Sequence, residues 1–259
     1  MPRLRAAKFD EQMTLVEHLD ELRNRIIVSG AVLVVACGLC FWQNHLLLRI
    51  ANKPLPGHMQ PITFGVTEPF MTTLKLSIYT GILIALPVLL YQAYAFLLPA
   101  LRPTEKRVVI PFLVLVPALF VAGVVFSYFV VVPAATKFLL HFNQDQFNIQ
   151  VRASEYYSFL ILTLIALGLV FQVPMGIVAL TRLGIVTPRQ LSRNRRYAYL
   201  ILAVVAMLLP GTDPVTMLIE LTPLLLLFEL SLVLARVVGT PADRASRAAE
   251  AEPPATPAS

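Results

Sequence analysis

Long apolar runs separated by short polar breaks make up most of this chain, and the runs have the length of membrane helices. At about 1.5 Å per residue, a helix of about 20 residues crosses a hydrocarbon core of about 30 Å. Six runs read as spans, at 26–43, 72–98, 108–133, 156–181, 197–209 and 215–235. The fifth covers only about 20 Å, so it must thin the bilayer locally or stand behind other helices. Pro87, Pro111, Pro117 and Pro174 interrupt the backbone ladder inside these runs. At Pro174 the carbonyl freed near position 170 needs another partner, which Gln172 or a neighbouring helix could supply.

Just ahead of the first run, TLVEHLDELRNR at 14–25 reads as a helix with two unlike faces. Leu15, Val16, Leu19, Leu22 and Ile26 gather on one side, while Glu17, Asp20, Glu21 and Asn24 gather on the other. Thr14 followed by Glu17 is a capping-box pattern that predicts the helix start. Glu21 and Arg25 form the favourable i,i+4 pair. The acidic side is either a solvated face or a site for a basic ligand.

Between the spans, the segment 44–71 carries Pro54, Pro56, Pro61 and Pro69 and predicts an ordered cap of short turns rather than a helix. The segment 134–155 is polar, the loop 182–196 is the most basic part of the chain, and PGTDP joins the last two spans as a tight turn. The expected organisation is a segment 1–25 with the amphipathic helix, a membrane domain 26–236 and a disordered tail 237–259.

Composition agrees with the pattern: 57% hydrophobic residues and 14% charged leave too little polar surface for a soluble globule. The net charge of +6 does not argue for nucleic acid, because sixteen of the 21 Lys and Arg fall in alternate connections and termini. Those segments are predicted to be cytoplasmic, which places both termini inside. Ten charged side chains in the first 25 residues argue against a cleavable signal peptide. Cys37 and Cys40 read as small apolar residues, and no metal-binding spacing occurs. All four histidines lie outside the spans and no hydrolase motif appears, so neither a catalytic site nor a cofactor is expected. Gln172, Glu220 and Glu229 are the polar groups at membrane depth; Glu229 lies within reach of the inner interface, whereas Glu220 does not.

HLDELRNR at 18–25, PVLLYQAYAFLLPAL followed by TEKR, FSYFVVVP, FQVP, MLLPGTDP and LFELS occur here in an order that resembles the TatC family, the polytopic core of the twin-arginine protein translocase. The likeness runs from about Thr14 to Arg236. It implies an all-α integral membrane protein with six transmembrane helices in a concave, glove-like bundle whose fifth and sixth helices are short. It implies a receptor for twin-arginine signal peptides of folded cargo proteins, driven by the proton gradient. The partners would be single-span subunits of the TatA or TatB type, with homo-oligomers in a receptor complex, in the lipid bilayer of the bacterial inner membrane rather than the thylakoid.

Matched to the family's motifs, the two glutamates that recognise the arginine pair fall on Glu21 and Glu105, with Arg23 and Arg195 nearby to temper the acidic field. Gln172 stands where the family often has Glu. Met207 and Leu208 match a stretch that contacts the single-span partner. The competing readings are a proton-coupled small-molecule secondary transporter and a structural membrane scaffold. A transporter would concentrate its polar groups at broken helices near mid-membrane, and a scaffold would not need the carboxylates of 14–25.

Overall fold

A computed structural model describes residues 15–56, 59–97, 103–182, 185–211 and 213–238. Its helices are α1 (Leu15–Trp42), α2 (Asn44–Asn52), α3 (Glu68–Leu97), α4 (Pro103–Phe126), α5 (Val132–His141), α6 (Ala153–Val170), α7 (Val173–Arg182), α8 (Pro188–Arg193), α9 (Arg195–Leu208) and α10 (Pro214–Val238). Among the described residues, five helical stretches are long and apolar enough to cross a membrane: His18–Trp42, Glu68–Phe96, Val114–His141, Ala153–Thr181 and Pro214–Ala235. The run expected as a fifth span is α9, whose 14 residues reach about 21 Å. Thr14, expected to cap α1, and the tail from Gly239 lie outside the described residues.

Several boundaries differ from the expectation. The amphipathic segment does not end where the membrane run begins, because α1 continues from Leu15 to Trp42 without a break. The stretch after Trp42 is not all turns: Asn44–Asn52 is helical, since its prolines begin only at Pro54. The third span also continues past Pro133. A π-helical turn at Ser127–Val131 brings the Val132 N–H to the Ser127 carbonyl. Pro133 then falls in the first turn of α5, where its missing N–H leaves no bond broken.

Pro174 acts as expected. The helix stops after Val170, turns at Phe171 and Gln172, and restarts at Val173 with Pro174 in its first turn.

The chain forms two compact units, one from residues up to Ala51 with Thr63–Val121, the other from Asn52–Ile62 with the residues from Ala122 onward. In the first, α1 and α3 cross at Gly81, where an added Cβ would lie 2.6 Å from the Cα of Cys37. Backbones approach this closely only where a side chain is absent, a common device when burial in lipid gives no hydrophobic drive.

In the second unit, Val131, Leu167, Leu202, Ala206, Leu224, Phe228 and Leu232 form a buried apolar cluster. Gly123 packs equally tightly, 2.9 Å from the Leu167 carbonyl oxygen at its would-be Cβ. The two long connections meet through a parallel bridge between Ile62 and Arg152, with Ile62 N–H donating to Val151 at 2.8 Å. The Tyr157 hydroxyl donates to Asn52 at 2.8 Å, which makes this region the ordered cap the prolines suggested.

Candidate functional site

Glu21 lies on the second turn of α1, and the face it occupies is turned toward α3 rather than to solvent. His18 stacks on Phe96 with centroids 4.3 Å apart, and two turns further along α1 Arg25 Nη1 donates to Gln92 Oε1 at 2.7 Å. Leu19 and Ile26, on the apolar side, are exposed instead. That inversion is expected where the surroundings are lipid and the polar groups find partners only within the protein.

The i,i+4 pair forms. Arg25 Nε donates to Glu21 Oε1 at 2.9 Å, and Nη2 donates to the same oxygen. The Glu21 side chain is 19% exposed, which excludes a simple solvated face at this position. Its Oε2 is shielded from water and accepts no hydrogen bond among the described residues; His18 Nδ1 lies 4.0 Å away. One oxygen of the carboxylate is therefore filled by a guanidinium, while the other is buried without a hydrogen bond among the described residues. Asp20 and Arg23, on the neighbouring face, are exposed. Beneath Arg25 and Gln92, α1 and α3 border a groove of about 610 Å³ walled by Leu22, Ile26, Leu33, Leu89 and Phe96.

Glu105, expected in a loop, is the third residue of α4. Pro103 starts this helix with its fixed φ, and a carboxylate in a first turn is favoured by the helix dipole, so Glu105 has a structural reason to be there as well. Its backbone belongs to the same unit as Glu21; its side chain lies outside the described residues.

The intramembrane polar groups separate. Gln172 is buried at the break between α6 and α7. Glu220 is fully buried, and neither carboxylate oxygen has a hydrogen-bond partner among the described residues. It is thus turned into the protein. Asp213 caps α10, its Oδ1 accepting from the Thr216 N–H at 2.8 Å. Glu229 has chain partners: Arg195 Nη2 at 3.1 Å and the Tyr199 hydroxyl, which donates to Oε1. This clamp joins α9 to α10. Sequence reasoning placed Arg195 in a general basic field and missed the pairing, for which the helical spacing of Arg195 and Tyr199 was the available signal.

On α9, Tyr197, Leu200, Ile201, Val204, Met207 and Leu208 form an exposed apolar stripe, with Met207 62% and Leu208 81% exposed. Their spacing of three and four residues puts them on one face.

Residues 17–223 match the family model described as the Sec-independent protein translocase protein TatC. The TatC protein of Carboxydothermus hydrogenoformans is 37% identical over 88% of this chain and 95% of its own length. The TatCy protein of Bacillus subtilis is 33% identical over 92% of this chain and 94% of its own length. A crystal structure of a twin-arginine translocase receptor, TatC, superposes with a TM-score of 0.72 at 35% identity, covering 86% of this chain and 99% of that one. With its family motifs in order and its apolar helices long enough to cross a membrane, this chain belongs to the TatC family and is a multi-pass membrane component of the Sec-independent, twin-arginine protein translocase.

Proposed function

We propose that this chain is the receptor subunit that binds twin-arginine signal peptides through Glu21 and Glu105, for export of folded proteins driven by the proton-motive force. The observation that carries this reading is that Glu21 is a partly desolvated carboxylate already gripping a guanidinium, with its second oxygen accepting no hydrogen bond among the described residues. Guanidinium groups pair with carboxylates through a planar fork that an ammonium lacks. Adjacent arginines on an extended peptide point to opposite sides, and two separate carboxylates suit them better than one cluster. Site-specific photocrosslinking tests it: a photoreactive residue at 21 or 105 should capture a peptide with paired arginines, and capture that is indifferent to those arginines contradicts the assignment.

The exposed stripe on α9 ending at Met207 and Leu208 supports docking of a single-span partner subunit of the TatA or TatB type. Glu220, fully buried and without a hydrogen-bond partner among the described residues, supports a role for this carboxyl as the intramembrane ionisable group, in place of the uncharged Gln172. Homo-oligomers in a receptor complex complete the reading.

For topology we propose six spans in a bacterial inner membrane, with α9 as the short fifth and both termini cytoplasmic. The distribution of Lys and Arg supports this orientation. With Cys37 and Cys40 replaced by alanine, single cysteines at Gln60 and Asn148 are expected to react with an impermeant thiol reagent added outside intact cells. Protection of both reverses the orientation.

A further inference from the structure

In the resting chain, the carboxylate assigned above to the peptide's arginine is held by the chain's own Arg25. Its Nε and Nη2 both donate to Glu21 Oε1, and its Nη1 donates to Gln92 Oε1. An incoming arginine meets an Oε2 that is shielded from water and accepts no hydrogen bond among the described residues. Side-on pairing, with one N–H on each oxygen, needs Oε1 as well.

We propose that Arg25 is an internal competitor for the signal peptide, so that recognition is an exchange of one guanidinium for another on Glu21. Gln92 retains Arg25 after release, because its bond to Nη1 does not involve Glu21. The exchange bears on specificity. A lysine ammonium makes a single-point contact that one carboxylate oxygen satisfies, so it gains less from Arg25 leaving, whereas an arginine gains its second bond. Arg25 therefore lowers affinity for the correct peptide and keeps occupancy reversible. The inference rests on Glu21 being a peptide contact, and the test separates the two.

The full chain, in detergent or lipid nanodiscs, is titrated with a labelled twin-arginine peptide and its twin-lysine counterpart, and thermal unfolding is followed for every variant. Arg25→Gln is expected to bind the arginine peptide roughly three- to tenfold more tightly, the span expected for releasing one partly exposed ion pair. The lysine peptide should gain less. Arg25→Lys keeps the positive charge but loses the fork, so it should also tighten arginine-peptide binding; wild-type affinity there would mean that Arg25 acts only by charge repulsion and would overturn the exchange. In Glu21→Gln, replacing Arg25 should change nothing. If Arg25→Gln weakens binding or leaves it unchanged while Glu21→Gln weakens it, Arg25 is a positioning residue for Glu21 and the inference fails while the site stands. If Glu21→Gln binds as tightly as the wild type, the site assignment itself fails.

Discussion

Gly81→Val is expected to prevent α1 and α3 from closing on each other, with a loss of about 3 kcal/mol or more of stability. The added Cβ would meet the Cα, N and Sγ of Cys37 at 2.6–2.8 Å, and two of those atoms are backbone. No rotamer change relieves such a clash, so the helices must separate and the Glu21 face loses its partners Gln92 and Phe96. Gly38→Ala is the control on the same pair of helices: nothing lies within 4 Å of its would-be Cβ. That substitution should be neutral, or gain a few tenths of a kcal/mol from reduced chain entropy. Thermal unfolding of the purified proteins separates the two, and equal stability of both variants would contradict the close crossing.

Glu220→Leu is expected to raise stability and abolish export. Its carboxyl sits about 9 Å along α10 from Pro214, fully buried, with both oxygens unpartnered among the described residues. The sequence places no Lys, Arg or His in 153–181 or 197–235, so α6 and all but the ends of α7, α9 and α10 bring no cation to it. Burying an unsatisfied polar group costs about 1–3 kcal/mol, which an apolar side chain of similar volume removes. A group retained at that cost is a functional candidate in a membrane. The paired readout is the unfolding temperature and the export of a folded reporter. Higher stability with unchanged export would make Glu220 a tolerated burden and remove it from the function.

Much of this was legible from the apolar runs. Their lengths marked the spanning helices, Pro174 marked the break in 153–182, and i,i+4 spacing gave the Glu21–Arg25 pair. Three features were not, each for a physical reason. Lipid accepts apolar side chains on any face, so periodicity could not say whether Leu19 or Glu21 turned toward α3. Pro133 reads as a stop because the sequence does not announce the π-helical turn that accommodates it. The burial of Glu220 and the Arg195–Glu229 clamp depend on how α9 folds back on α10 after Pro210, a tertiary choice that local pattern does not encode. Glu105 came from family resemblance; its place in the first turn of α4 follows from Pro103, two residues earlier.

The central claim is that Glu21 and Glu105 recognise paired arginines. It is tested most directly by a double-mutant cycle on peptide affinity, combining Glu21→Ala and Glu105→Ala with replacement of the peptide's arginines by lysines. Each pair contributes about 1 kcal/mol, so losing both should weaken binding roughly thirtyfold. The arginine-to-lysine change should cost less in each variant than in the wild type. Coupling indistinguishable from zero at both positions would contradict the account.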